Sequence, residues 1–102
     1  MSFSIEIINL VKHLKENRES IISNQIGRSG TSIGANIREA FYGHSKADFI
    51  AKLQIALKEC SESEYWIELL IESNYCENKN LLNLCIEVKR LLISSLNTAK
   101  NS

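Results

Sequence analysis

The stretch from Gln25 to Ala40, QIGRSGTSIGANIREA, constrains the fold of this chain more than any other. Its apolar residues recur at helical spacing, yet the twelve residues from Ile26 to Ile37 carry a single charge, that of Arg28. A surface helix usually keeps one charged face. Three glycines fall within eight residues, although glycine inside a helix costs about 1 kcal/mol relative to alanine. The stretch therefore predicts a helix that neighbouring helices approach closely, and not a chemical site.

The rest of the chain predicts an all-α protein. Proline is absent and only four of the 102 residues are glycine, a composition that allows long uninterrupted helices. Apolar periodicity predicts helices at about 3–16, 19–42, 45–73 and 81–98. Ser45 is the expected N-cap of the third helix, and Asn78 or Asn80 that of the fourth. Short connections predict one domain over residues 1–102, an antiparallel up-down-up-down four-helix bundle.

The same periodicity predicts which helix faces are buried. The third helix keeps the spacing of a bundle seam at Phe49, Leu53, Ala56, Cys60, Ser63, Ile67 and Leu70. The stripe of the first helix is Ile7, Leu10, Val11 and Leu14, widened by Ile8. The inward stripe of the fourth helix is Leu81, Leu84, Cys85, Val88, Leu91, Leu92 and Ser95. Leu82, Ile86 and Ile93 lie outside that stripe, and a second apolar side indicates a subunit interface.

Composition restricts the classes of function. Twelve basic and twelve acidic residues cancel, so the molecule has no net attraction to nucleic acid or anionic membrane. No apolar run approaches the roughly 20 residues of a membrane span, and no signal-peptide pattern is evident, so we expect a soluble cytoplasmic protein. The three cysteines lack CxxC spacing. Cys60 and Cys85 are expected to be buried thiols in a reducing compartment.

His13 and His44 are the only histidines available for metal or acid–base chemistry. Neither stands in an HExxH or Cys/His pattern, and neither follows a glutamate by three residues as in bundle di-iron sites. A Cys–His pair stays open, since such residues can meet in space. The chain has neither a P-loop nor a GxGxxG motif. We therefore expect no enzymatic activity, no metal and no cofactor.

Asn36 and Glu39 are polar residues on a helix that otherwise avoids polarity. The simplest interpretation is that they form hydrogen bonds across helices and fix the helix register. The alternative is a small-molecule site in the bundle core or in the lumen of a ring, lined by Asn36, Glu39 or Glu62.

Charged residues on the other helices leave two further interpretations open. Glu64, Glu68 and Glu72 share one helix face, either solvated or, in an oligomer, paired with a neighbour's Arg28, Arg38 or Lys52. Basic residues are scattered, and candidate nucleic-acid contacts are Lys12, Lys15, Arg18, Arg28 and Arg38. A nucleic-acid footprint needs a coherent basic face, which an oligomer could build by repeating the small cluster at Lys12, Lys15 and Arg18.

Residues 25–28 (QIGR) and 32–40 (SIGANIREA) match the signature QIRRA…SIxxNIAEG in order and spacing. Over positions 25 to 70, the chain resembles the 23S ribosomal RNA intervening-sequence protein family, also called the four-helix bundle protein family. The residues that carry this resemblance, all expected to be structural, are Gln25, Arg28, Ser32, Ile33, Asn36, Ile37, Glu39, Phe49, Ala56 and Glu62. Gly27 stands where a basic residue is common in the family, which weakens any transferred nucleic-acid role.

The resemblance implies an antiparallel four-helix bundle that assembles as a ring-like homopentamer without enzymatic activity or cofactor. Some members are encoded within intervening sequences of 23S ribosomal RNA genes. A related branch, the accessory variability determinant of diversity-generating retroelements, is basic and partners a reverse transcriptase with nucleic acid. For this neutral chain the leading hypothesis is a non-enzymatic oligomeric scaffold that contacts itself and a protein partner. The alternative is an RNA- or DNA-binding accessory protein.

Overall fold

A computed structural model describes residues 2–16, 21–73 and 79–101, which form four α-helices. The helices are α1 (Ser2–Glu16), α2 (Ile21–Phe41), α3 (Lys46–Glu72) and α4 (Lys79–Lys100). This all-α, four-helix organisation confirms the prediction. The predicted start of the second helix, at residue 19, lies outside the described residues. The fourth helix begins earlier than predicted, so Asn80 is a helical residue and not an N-cap.

The four helices pack around one long core, in a body of 46 × 20 × 19 Å. Helix α2 packs most extensively against α3 and also against α1, while α4 packs against α3. Helix α1 touches α4 only lightly. Because α1 and α3 share α2 as a neighbour and do not pack on each other, they occupy opposite corners of the bundle.

The glycines of α2 allow the close helix approach that the neutral stretch predicted, and the helix that approaches them is α1. A Cβ atom built on Gly30 would lie 2.8 Å from Cγ1 and Cγ2 of Ile7, which is fully buried. A Cβ on Gly27 would lie 3.3 Å from Val11, and one on Gly34 would lie 3.3 Å from the Ser4 hydroxyl. The contact between α1 and α2 therefore depends on missing side chains, and the packing of Ile7 offsets the low helix propensity of glycine.

The predicted seam of α3 is confirmed. Six of its seven positions are buried, and the seventh, Phe49, is half-buried against the same core. The fully buried members of this seam are Ala56, Cys60, Ser63, Ile67 and Leu70. The helix starts at the expected cap, because the Ser45 hydroxyl accepts a hydrogen bond from the Asp48 amide at 3.1 Å.

Three positions of the predicted apolar stripes are wrong, because the structure exposes them. Ile8 on α1 is 49% exposed and Leu91 on α4 is 62% exposed, while Ser95 is also exposed. The buried residues of α4 are Leu81, Cys85, Leu92 and Leu96, so Leu91 lies beside the buried stripe and not on it. The predicted stripe of α4 thus included exposed neighbours of the buried residues and omitted Leu96.

Candidate functional site

Arg28 is the centre of a charged cluster between α2 and α3. Its Nη1 donates to the Glu59 carboxylate at 3.1 Å, and its Nη2 donates to Glu62 Oε2 at 2.8 Å. The hydrogen bond to Glu62 and the charge of Glu59 raise the pKa of the Arg28 guanidinium. The guanidinium is thus compensated by two carboxylates of its own chain, a poor starting point for binding a phosphate.

Two further ion pairs join neighbouring helices. Lys52 on α3 lies 3.0 Å from Glu39 on α2, and this hydrogen bond raises the pKa of the Lys52 ammonium group. Lys89 on α4 donates to Glu64 on α3 at 2.6 Å, which raises the pKa of the Lys89 ammonium group. Glu64 and Lys52, which the sequence allowed to pair with a neighbouring copy, are therefore paired within one chain.

Of the two polar residues expected to bond across helices, Glu39 does so through Lys52, and Asn36 does not. Nδ2 of Asn36 donates to the backbone oxygen of Ser32 at 2.9 Å and to its hydroxyl at 3.0 Å, so this amide bonds within α2 and not across helices. The buried polar contact between helices is made by Ser29 and Ser63, whose hydroxyl oxygens lie 2.9 Å apart and are fully buried. The predicted seam of the third helix included Ser63, but the sequence did not show that Ser63 pairs with Ser29.

The remaining residues of the family motif are packing residues or lie at the surface. Ile33 and Ala56 are buried, while Ile37 and Phe49 are half-buried against the core. The Phe49 ring packs edge-on against Phe41, with ring centroids 5.7 Å apart. On the outside, Gln25 is exposed and Ser32 is half-buried.

Helix α1 presents an exposed surface that combines apolar and basic side chains. We call Ile5, Ile8, Lys12 and Lys15 the α1 face. Ile5 is 54% exposed and Ile8 is 49% exposed, a large apolar area for a helix of this length. Lys12 and Lys15 continue the exposed side toward the end of the helix. This surface is complementary in character to one that combines acidic and apolar side chains.

Helix α3, at the opposite corner, presents a surface of the complementary kind. We call Ile55, Tyr65, Glu68 and Glu72 the α3 face. Tyr65 is 58% exposed, and its ring meets Trp66 edge-on beside an open cleft of about 500 Å³. Basic residues are absent from positions 59 to 72, so this half of the helix is acidic.

The candidate nucleic-acid residues do not form one surface. The contacts of Ser4 with Gly34 and of Val11 with Gly27 place Arg38 beyond one end of the α1–α2 pair and Lys12 toward the other. Arg18 lies outside the described residues. Within residues 2–16, 21–73 and 79–101, no group of three or more His, Cys, Asp and Glu side chains could hold a metal ion. None of the described helices is long and apolar enough to cross a membrane.

Comparison with known protein families tests the family resemblance that the motif on α2 and α3 suggested. The profile of the 23S rRNA-intervening sequence protein family matches residues 1–94. The chain belongs to this family. The match extends well beyond the motif on α2 and α3, over α1 and most of α4.

A solved structure from the same group is similar over nearly its whole length. It is a protein of unknown function from the S23 ribosomal protein family of Bacteroides thetaiotaomicron, 52% identical to this chain. The similarity covers 93% of this chain and 92% of that chain, with a TM-score of 0.90. No curated protein matches the chain. The family thus provides the fold, and any specific role must be argued from the surfaces.

Proposed function

We propose that this protein is a non-enzymatic scaffold in the cytoplasm, whose copies associate when the α1 face of one contacts the α3 face of the next. The resulting assembly is a ring of antiparallel four-helix bundles, and a homopentamer is the size that the family resemblance implies. Such a ring repeats each outer surface of the chain around its circumference, which suits it to binding a protein partner through several equal contacts.

The observation that carries this proposal is the complementary character of the two faces. Ile5 and Ile8 with two lysines stand on one corner of the bundle, and Tyr65 with two glutamates stands on the opposite corner. Surfaces that differ from each other and point in opposite directions associate head to tail, and head-to-tail contacts form a closed ring when the rotation between copies closes.

Pairwise contacts support the antiparallel arrangement within each copy. Along α2 and α3, Arg28 meets Glu59 and Glu62, whereas Glu39, further along α2, meets Lys52, which comes earlier on α3. Residue numbers therefore rise along α2 as they fall along α3.

Charge reversal tests the proposed interface. In the variant Lys12→Glu/Lys15→Glu, both faces become acidic, and we expect the assembly to dissociate to monomers in light scattering. The variant Glu68→Lys/Glu72→Lys makes both faces basic and should dissociate in the same way. All four reversals in one chain restore complementarity, so that chain should recover the mass of the unmodified protein.

A matched control separates interface charge from total charge. Arg38 and Lys46 are exposed outside both faces, so Arg38→Glu/Lys46→Glu changes the net charge as much as the α1 reversal does. The proposal requires this control to keep the mass of the unmodified protein. An α1-reversed variant that keeps its mass, or a four-fold variant that stays monomeric with native helix content, would contradict the proposed contact.

A second candidate function is RNA or DNA binding, favoured by the exposed Lys12 and Lys15, which a ring would repeat. Titration of a labelled structured RNA at low and moderate salt tests it, because phosphate contacts strengthen at low salt. Loss of RNA binding in Lys12→Glu/Lys15→Glu with unchanged mass would favour this candidate over the scaffold. The scaffold is favoured if this variant dissociates to monomers and the unmodified protein binds no RNA at low salt.

The third hypothesis, a small-molecule site lined by Asn36, Glu39 or Glu62, finds less support. Asn36 is engaged with Ser32, and Glu62 lines the open cleft on the outside of α3. Glu39 pairs with Lys52, ten residues from Glu62 along α3, or roughly 15 Å at the rise of an α-helix. The three side chains therefore do not surround one cavity.

A further inference from the structure

Cys60 on α3 and Cys85 on α4 face each other inside the bundle. Both residues are fully buried, and their Sγ atoms lie 3.8 Å apart. Each thiol also lies close to the backbone oxygen of the other cysteine, at 3.4 Å for Cys60 Sγ and 3.5 Å for Cys85 Sγ. The two side chains therefore meet directly across the helix interface, with no other group between the sulfur atoms.

We propose that Cys60 and Cys85 are a redox-sensitive pair that forms a reversible disulfide with a peroxide, tethering α4 to α3. The sulfur atoms must approach from 3.8 Å to the bonding distance of about 2.05 Å. Rotation of either side chain about its Cα–Cβ bond changes the distance between the sulfur atoms. Both cysteines are free thiols in this structure, so the pair is in its reduced form.

The hydrogen bond between the two thiols makes them unequal, whereas the charges of Lys89 and Glu64 act on both in the same direction. The hydrogen bond with Cys85 lowers the pKa of the Cys60 thiol, and the Lys89 ammonium acts in the same direction while burial and Glu64 oppose it. The hydrogen bond with Cys60 and burial raise the pKa of the Cys85 thiol. Cys60 is therefore the sulfur that ionises first and attacks, and Cys85 stays protonated until the second step.

The reaction balances with hydrogen peroxide as the oxidant. The Cys60 thiolate attacks one peroxide oxygen, the O–O bond breaks, and the hydroxide that leaves takes up the proton lost by the thiol to become water. The resulting sulfenic acid on Cys60 is attacked by Cys85 sulfur, forming the S–S bond. The hydroxyl group leaves with the Cys85 proton as a second water molecule. Two thiols are oxidised, and one peroxide is reduced to two waters.

The tether acts on a helix that is held mainly from one side. Helix α4 packs on α3 but only lightly on α1, so its local opening is the movement that admits a peroxide to the buried thiols. Once formed, the bond joins α3 and α4 and closes a loop through the connection between them. Oxidation should therefore suppress the opening of α4, and reduction should restore it.

The test treats the native full-length chain with hydrogen peroxide, blocks remaining thiols in denaturant and maps the peptides by mass spectrometry. We expect a Cys60–Cys85 linkage in most molecules, reversed by dithiothreitol. Hydrogen exchange of α4 amides should slow by roughly tenfold or more in the oxidised form. Because Cys76 is the remaining cysteine of the sequence, the experiment is repeated in a Cys76→Ser background.

Three results would overturn the proposal. The first is recovery of Cys60 and Cys85 as blocked thiols from native protein while the urea-unfolded chain oxidises. The second is a linkage that involves Cys76 in place of either partner. The third is a native disulfide that leaves α4 exchange unchanged. As a control, Cys85→Ser, whose hydroxyl can still donate a hydrogen bond to Cys60, should give Cys60 sulfenic acid, trapped by dimedone, without an intramolecular linkage.

Discussion

Gly30 shows how a single missing side chain determines the packing of two helices. Ile7 of α1 fills the space where its Cβ would be, and that isoleucine is fully buried. The sequence predicted close approach from the three glycines, but it could not assign the partner helix. The partner emerges from the contacts, because all three glycines of α2 face residues of α1.

Gly30→Ala should lower the free energy of unfolding by roughly 1–3 kcal/mol, even though alanine favours the helix, because the new methyl group overpacks against Ile7. Gly34→Ala is the matched control. Its methyl group would meet only the Ser4 hydroxyl, which can rotate away, so the variant should be neutral or up to about 1 kcal/mol more stable. Urea unfolding of both variants measures the difference, and equal stabilities would refute this account of the α1–α2 contact.

Ser29 and Ser63 form the second contact that depends on single residues. Ser29→Ala leaves the Ser63 hydroxyl buried without its partner, at a cost of roughly 1–3 kcal/mol in unfolding free energy. The double variant Ser29→Ala/Ser63→Ala should cost less than the sum of the two single changes. Ser61→Ala on the exposed side of α3 is the control. A strictly additive double-mutant cycle would show that the hydroxyl pair contributes nothing specific.

The helices differ in how well their sequences predicted their environment. Helix α3 was predicted along its whole seam because α2 and α4 both pack extensively along its inward side. Helix α4 was predicted less well, since Leu91 and Ser95 were expected inside and are exposed, whereas the buried Leu96 was not predicted. The ion pairs were beyond prediction, because the Arg28 and Glu59 positions are 31 residues apart and meet only through the register of α2 on α3.

The ion pair between α3 and α4 predicts a pH dependence. The hydrogen bond to Glu64 raises the pKa of Lys89 above its ordinary value of 10.5, so the pair stabilises the fold fully below that value. Its contribution, under about 1 kcal/mol for a partly exposed pair, is lost as the pH rises through the raised pKa.

The measurement compares the unfolding free energies of the unmodified protein and Lys89→Met from neutral pH to strongly alkaline solution. The difference should shrink above pH 10.5, in the window where Lys89 loses its proton. Lys58→Met, at an exposed position of α3, should leave the pH profile unchanged. If the difference in unfolding free energy between the unmodified protein and Lys89→Met stays constant with pH, the ion pair does not stabilise the fold.

For the whole molecule, zero net charge conceals an uneven distribution of charge. Twelve basic and twelve acidic residues cancel, but the α1 face is basic and the α3 face is acidic. Composition alone excluded a general attraction to nucleic acid without revealing this asymmetry, because the asymmetry arises when α1 and α3 take opposite corners of the bundle. Exposed isoleucines and Tyr65 on the same two faces are the reason why we propose that these faces associate.

The solution mass measured by light scattering across a dilution series tests the proposed self-association most directly. With a chain of 11.6 kDa, we predict a mass near five times that value, about 58 kDa, that persists on dilution. A mass of 11.6 kDa at every concentration would contradict the account and would leave the α1 and α3 faces to a different partner.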